Sequence, residues 1–200
     1  MWGLVLPGKP VEAAELARRA SVVTHDGNAV FGGMFVAACV SAAFTEKTIR
    51  DVIEAGLGVI PVDCLYAEAV RAVSVYYAEH PENWRGCLDF IRENWGSERF
   101  SGAFHVIPNA AIMALAMLYG VGKTLCICNM CGWDTDCNVG NVATILGVLC
   151  GIDGINYEKW QEPVHDLQIT ASVIGSLNCM DNYLDARHFP CSLAHTANET

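Results

Sequence analysis

The residues best suited to chemistry lie in one short segment, GWDTDCN at 132–138, which runs directly into an apolar stretch from Val139. Asp134 and Asp136 stand two positions apart in a predicted loop, so both carboxylates can converge on one cation. Carboxylate oxygens suit magnesium or calcium better than zinc. The helix predicted from Val139 also offers free N–H groups and a positive dipole end that favour anions such as phosphate. The segment therefore predicts a site for a hard cation beside a helix start.

The same segment has a simpler interpretation, in which Asp134 and Asp136 only cap the helix that follows. Two aspartates before a helix do not by themselves distinguish capping from cation binding. An EF-hand is excluded, because Val139 stands where that loop needs glycine and Ile145 where it needs a bidentate glutamate. On the residues alone, capping and cation binding both stay open.

Four thiols in this region raise the alternative of a zinc or iron–sulfur site: Cys126, Cys128, Cys131 and Cys137. On a helix, Cys126 and Cys131 would point about 140° apart at about 100° per residue, so three thiolates would not converge. No second cysteine pair at zinc-finger spacing is present in the sequence. We therefore expect structural thiols. The competing hypothesis predicts stoichiometric metal in the purified protein and its loss in Cys128→Ser.

A second candidate site is the junction at 24–27, Thr-His-Asp-Gly, between two predicted helices. A single histidine such as His25 is ordinarily a capping or core residue. It could equally line a pocket, because it leads into a buried helix that contains Gly32 and Gly33. Each glycine would weaken an isolated helix by about 1 kcal/mol, which fits a place where a backbone or ligand approaches closely. His105 is ambiguous in the same way.

Helical periodicity dominates the elements that must position these residues. We find no alternating strand pattern of more than a few residues and no internal repeat, so the sequence predicts an all-α, compact, multi-helix fold. Thr45 and Asp63 are the predicted N-caps of two of the helices. The domain is expected to cover 1–188, followed by a loose tail at 189–200. The predicted helices run from Pro10, over 28–44, 46–57, 64–80, 84–95, 108–119, 139–150 and 167–184.

Composition excludes several function classes. The 200 residues suit one domain, or most of one, and no apolar run reaches the roughly 20 residues that span a bilayer. Lysine plus arginine total 12 against 22 for aspartate plus glutamate, and no basic stripe is present, which argues against nucleic acid as a partner. The start lacks a basic region of the secretory type, so the ten cysteines are expected to be free thiols in the cytoplasm.

In their order along the chain, these segments resemble the ADP-ribosylglycohydrolase family. The resemblance is carried by THDGNAVFGGMFVAA from Thr24, HVIPNAAIMALAMLYG from His105 and CGWDTDCNVGNVATILGVLCG from Cys131, with Trp160 further on. It covers about residues 1–180. It implies an orthogonal helical bundle, truncated at the N-terminus, with two magnesium ions in a cleft. By resemblance, Asp134 and Asp136 are metal ligands, and Cys137 stands where the family usually places threonine or serine as a further ligand.

The resemblance also implies a substrate site and a reaction. His25, with Thr24 beside it, matches the family histidine near the bound ADP-ribose, and Gly132 matches the glycine that lets the backbone approach the site. The implied reaction is hydrolysis of the ribose C1″ bond that links ADP-ribose to a protein side chain or a small acceptor. The catalytic acid or base is not assigned by the residues of this chain.

The chain departs from the family pattern at its start. Family members begin with a helical region that carries a Thr-Asp-Asp ligand group and a phosphate-contacting glycine loop, and residues 1–23 match neither. The resemblance therefore implies the C-terminal half of the site, with a preceding segment as a missing partner. The alternative is a catalytically inactive family member that binds ADP-ribose or has a structural role.

Overall fold

The structure, a computed structural model, describes residues 1–100, 104–120, 124–151 and 154. Within these ranges every regular element is a helix and there is no strand, which confirms the all-α prediction. A single turn of 3-10 helix, Ser97–Arg99, follows the sixth α-helix. The α-helices, in chain order, are α1 Trp2–Val5, α2 Pro10–Ser21, α3 Gly27–Ala42, α4 Ile49–Leu57, α5 Leu65–Glu79, α6 Trp84–Trp95, α7 Val106–Tyr119, α8 Thr124–Met130 and α9 Thr135–Cys150.

Helix α7 forms the centre of the core. All of its residues except Val106 and Tyr119 are buried, and it contacts α3, α4, α5, α6, α8 and α9. A helix that is apolar on every face is stable only when other elements surround it. The run of alanine, isoleucine, methionine and leucine in α7 therefore dictates its central position.

The N-caps of two helices differ from the prediction. Thr48, and not Thr45, caps α4, because the Thr48 Oγ1 accepts the N–H of the third residue of the helix at 3.2 Å. The helix consequently begins at Ile49 rather than at residue 46. Cys64, and not Asp63, caps α5 through its Sγ. In each case another side chain, one to three residues further along the chain, accepts the helix N–H instead. Sequence patterns locate helix ends poorly at this precision.

The start of α9 is the correction that matters for the site. The helix begins at Thr135 and not at Val139, and the carbonyl of Asp134 accepts the N–H of Asn138 at 2.9 Å to close its first turn. Asp136 therefore lies in the first turn of α9, so the prediction that both carboxylates lie in a loop is wrong. Asp134 alone lies outside the helix, at the N-cap position.

Small residues allow α3 and α4 to pack closely. A Cβ atom added to Gly56 of α4 would lie 2.8 Å from the ring of Phe35, which is shorter than real Cβ contacts. Phe35 is buried in the core and packs against Tyr66 with a ring-centroid distance of 5.3 Å. The absence of a side chain at Gly56 thus fixes the separation of the two helices.

Several predictions fall on residues that the structure does not describe. The predicted helix at 167–184 and the tail at 189–200 lie outside the described ranges, as does the domain boundary at 188. None of the helices in the described ranges is long and apolar enough to cross a membrane.

Candidate active-site cleft

A cleft of about 850 Å³ lies where the starts of α3, α7 and α9 meet. It is lined by His25 and Asn28 from the start of α3, Asn109 from α7, and Asp134 and Cys137 from the start of α9. The two segments that sequence analysis singled out therefore share one cleft, although they are far apart in the chain. Its size is within the usual range for pockets that enclose a ligand, roughly 300–1,000 Å³.

Three of the predicted site residues are not part of the cleft lining. Thr24, Gly132 and Asp136 are next to lining residues in the chain but do not line the cleft themselves. Each of them lies beside a residue that does line the cleft. Thr24 contacts the ring of His25, whereas Gly132 and Asp136 flank Asp134 in the turn that leads into α9.

The turn between α8 and α9 brings three possible metal ligands together. One ligand atom each from Asp134, Asp136 and Cys137 lies within 4.8 Å of the others. Gly132 and Trp133 both have positive φ angles, 84° and 55°, which reverse the chain direction between the two helices. Glycine adopts this conformation readily, whereas it is uncommon for a large side chain such as tryptophan. Gly132 is thus required by the turn that presents Asp134.

The carboxylates and the thiol of this group interact with one another. The pKa of Asp136 lies below its ordinary value, because the carboxyl of Asp134 and then the backbone N–H groups of Cys137 and Asp136 hydrogen-bond to its ionised form. The pKa of the Cys137 thiol is raised, first by its hydrogen bond with Asp134 and then by partial burial. The group thus combines two oxygen donors with a protonated sulfur.

Capping accounts for only one of the two aspartates. Asp136 uses its carboxylate to bond N–H groups at the start of α9, as a capping residue would. Asp134 occupies the N-cap position, but its side chain makes no capping hydrogen bond. The side chain of Asp134, which is half-buried at the cleft, instead interacts with Asp136 and Cys137.

A buried amide pair connects this turn to the central helix. The Oδ1 of Asn109 accepts the backbone N–H of Asp134 at 3.3 Å and the Nδ2 of Asn138 at 2.7 Å. The Nδ2 of Asn109 donates to the carbonyl of His105 at 2.9 Å. Sequence analysis missed this role of Asn109 and Asn138. The available signal was an asparagine within an otherwise apolar helix, which must find partners if it is buried.

The histidine on the opposite wall is held by its neighbour. The Oγ1 of Thr24 and the Nδ1 of His25 are 2.7 Å apart, and both residues are exposed. The Oδ1 of Asn28 accepts the N–H of Tyr66 at 3.0 Å, which ties the start of α3 to the start of α5. This wall of the cleft is thus fixed by bonds of the chain itself, and the Nε2 of His25 is the ring nitrogen that can contact a ligand.

Gly32 and Gly33, in the middle of α3, both line the cleft, and each faces a neighbouring side chain. A Cβ atom on Gly32 would lie 3.0 Å from the ring of Tyr66, and one on Gly33 would lie 2.7 Å from the Oγ of Ser21. The close approach expected at this position is therefore to side chains of α2 and α5. The absence of a side chain at Gly32 and Gly33 avoids clashes with Tyr66 and Ser21, and no ligand contact is needed to explain it.

Cys126 and Cys128 of α8, and Cys131 just after it, are not grouped as possible metal ligands among the described residues. Among the described residues, the one group that could hold a metal ion is that of Asp134, Asp136 and Cys137. Burial raises the pKa of Cys128 to about 12 and that of Cys131 to about 11. Protonated, buried thiols behave as small apolar side chains, as the sequence predicted.

Comparison with known proteins agrees with the all-α fold. A family model described as ADP-ribosylglycohydrolase matches residues 1–187, which is nearly the whole chain. No curated protein and no solved structure matches it. The family acts on ADP-ribosylated substrates and is generally metal-dependent, and the described residues contain an acidic group at the cleft that suits a cation. The chain belongs to the ADP-ribosylglycohydrolase family of hydrolases.

Proposed function

We propose that the protein is a magnesium-dependent hydrolase that removes ADP-ribose from a modified protein side chain or a small acceptor. The observation that supports this most strongly is that His25 and Asp134 line one cleft of about 850 Å³. Ligand atoms of Asp136 and Cys137 lie within 4.8 Å of that of Asp134. A ligand with both phosphates and a ribose could reach the helix start, the aspartates and the histidine at the same time.

Asp134 and Asp136 are the proposed magnesium ligands. Their carboxylate oxygens are hard donors of the kind that magnesium prefers, and they lie within 4.8 Å of each other. Two carboxylates supply only part of the six oxygens that each magnesium ion takes, so these residues hold one side of a larger site. When bound, the ions supply orientation of the ribose hydroxyls and polarisation of the scissile bond.

The remaining predicted residues position the substrate in this proposal. His25 contacts ADP-ribose through Nε2, and Thr24 keeps the ring in place by its bond to Nδ1. Gly132 sets the turn that presents Asp134 to the cleft. The positive dipole end of α9 favours the phosphate groups. A modified protein or a small ADP-ribose conjugate is the proposed partner, in the cytoplasm, where the free thiols of the described residues would persist.

One observation favours a second candidate function, that of an ADP-ribose-binding protein without catalysis. The thiol of Cys137 is a poor ligand for magnesium, and its pKa is raised by the hydrogen bond with Asp134. A site whose third donor suits magnesium poorly would hold that ion weakly. Such a protein would bind ADP-ribose and leave ADP-ribosylated peptides intact.

Paired titrations test the proposal. Magnesium binding to the wild type, measured by calorimetry, should weaken at least tenfold in Asp134→Ala and in Asp136→Ala, because each loses a charged ligand. ADP-ribose binding should weaken in His25→Ala. The control is Asp89→Ala, which removes an exposed aspartate of α6 paired with Arg92.

Unchanged magnesium affinity in both aspartate variants would reject the metal assignment, and unchanged ADP-ribose affinity in His25→Ala would reject the substrate assignment. Release of ADP-ribose from an ADP-ribosylated peptide then separates the two candidate functions. The hydrolase releases it, and the binding protein does not.

A further inference from the structure

Asn109 is a buried polar residue that the proposed chemistry does not use. It lies in α7 among apolar neighbours, and only 8% of its surface is exposed. Its partner Asn138, in the first turn of α9, is 2% exposed. Burying two amides is unfavourable unless their hydrogen bonds are satisfied. The groups that these two amides bond therefore show what the amides do.

The hydrogen bonds of Asn109 converge on the turn that carries the proposed metal ligands. Its Oδ1 accepts two donors, the backbone N–H of Asp134 at 3.3 Å and the Nδ2 of Asn138 at 2.7 Å. Asp134 has its backbone fixed from α7, while its carboxylate makes no capping bond with α9. One acceptor on the central helix thus sets the position of both the N-cap residue and the first turn of α9.

The other end of the same amide is anchored to a second wall of the cleft. The Nδ2 of Asn109 donates to the carbonyl of His105, the N-cap residue of α7. The ring of His105 accepts the N–H of Ile107 at 3.3 Å and stacks on Phe100 at 4.5 Å. Asn109 therefore cannot rotate without breaking bonds on both sides, which orients its Oδ1 toward Asp134.

We propose that Asn109, with Asn138, is a positioning residue for cation binding: it holds the backbone of Asp134 so that its carboxylate is presented to the cation beside Asp136. Groups that orient metal ligands from outside the coordination shell commonly affect metal affinity by about 10–100-fold. This inference rests on the proposed cation site at Asp134 and Asp136. It adds that α7 fixes the backbone of Asp134 before a cation binds.

The test is a Mn²⁺ titration of the full chain, in which electron paramagnetic resonance measures the free ion. Asn109→Leu and the double variant Asn109→Leu/Asn138→Leu should both bind Mn²⁺ about tenfold or more weakly than the wild type. The double variant also removes the Asn138 amide that Asn109→Leu leaves buried and unpaired, so it should recover part of the thermal stability that the single variant loses. Recovery of stability without recovery of affinity is the signature of positioning.

Two further variants make the outcomes distinct. Asn83→Ala removes the N-cap of α6, whose Oδ1 accepts the N–H of Gly86, and should lower thermal stability with no change in Mn²⁺ affinity. Asp134→Ala reports on the cation site itself. If Asp134→Ala loses Mn²⁺ and both leucine variants bind it like the wild type, the positioning role is overturned and the metal assignment stands. If the wild type binds no Mn²⁺, the metal assignment and this inference both fall.

A measurement on the wild type covers the case in which the leucine variants do not fold. In a Mg²⁺ titration followed by nuclear magnetic resonance, the side-chain NH₂ signals of Asn109 and the backbone amide of Asp134 should shift together with one apparent affinity. Shifts at Asp134 with an unaffected Asn109 side chain would overturn the proposal.

Discussion

At the scale of single residues, Cys137 is the feature that most distinguishes this site. Its ligand atom lies within 4.8 Å of those of Asp134 and Asp136, so a cation at the carboxylates would meet a sulfur as well. Thiolates favour zinc, cobalt and other softer metals, while magnesium favours oxygen. The side chain at 137 should therefore decide which divalent cation the site prefers.

The first prediction concerns this preference. Cys137→Thr exchanges the sulfur for a hydroxyl oxygen and should raise magnesium affinity while lowering cobalt affinity, as measured by calorimetry for each metal. Cobalt bound to the wild type should give a thiolate charge-transfer band in the near ultraviolet, and the variant should lack it. Cys150→Ser, which changes an exposed thiol at the far end of α9, is the matched control.

An identical cobalt spectrum and unaltered metal preference in Cys137→Thr would show that the sulfur is not a ligand. The magnesium assignment to Asp134 and Asp136 would then rest on the carboxylates alone.

Sequence reasoning found the proposed ligands but not Asn109, which contacts the backbone of Asp134. Asp134, Asp136 and Cys137 are close in the chain, so a local pattern is enough to bring them together. Asn109 lies 25 positions before Asp134 in the chain, and only the packing of α7 against α9 makes their contact. Local patterns carry no information about such pairs, which is why the amide network was not predicted.

At the scale of elements, the helices were predicted better than their ends. The continuous apolar run of α7 and the amphipathic pattern of α6 were sufficient to place both helices. The start of α9 was placed four residues too late, because Thr135 and Asp136 are polar and read as loop although they form the first helical turn. Polar residues are common in a first turn, where acidic side chains meet free N–H groups.

Glycines within helices give the element-scale prediction. Gly56→Ala should lower the free energy of unfolding by about 1–3 kcal/mol, because its Cβ would lie 2.8 Å from the ring of Phe35 between α4 and α3. Gly140→Ala should raise that free energy by about 0.5–1 kcal/mol, because no atom lies within 4 Å of its added Cβ on the exposed face of α9. Urea denaturation followed by circular dichroism measures both.

The pair acts as its own control, since both changes are glycine to alanine within a helix. If both changes raise the free energy of unfolding, intrinsic helix propensity outweighs packing. The helices α3 and α4 would then not be held together as closely as the structure indicates.

At the scale of the whole molecule, the fold brings two helix starts and a chain junction to one cleft. Helix α7 supplies the rigid centre, α3 carries His25 at its start, and α9 carries Asp134. The all-α architecture and the family, whose model matches residues 1–187, were both predicted from the sequence. The family resemblance implied a cleft but not the elements that form it, because these depend on how α3, α7 and α9 pack rather than on any one segment.

Titration of ADP-ribose into the purified chain by calorimetry, with and without magnesium, tests the central claim most directly. The account predicts binding that magnesium strengthens, because Asp134 and Asp136 would hold the cation in the cleft where His25 meets the ligand. It also predicts that this strengthening disappears in Asp134→Ala. A chain that is helical and cooperatively folded by circular dichroism, yet binds ADP-ribose equally with and without magnesium or not at all, would contradict it.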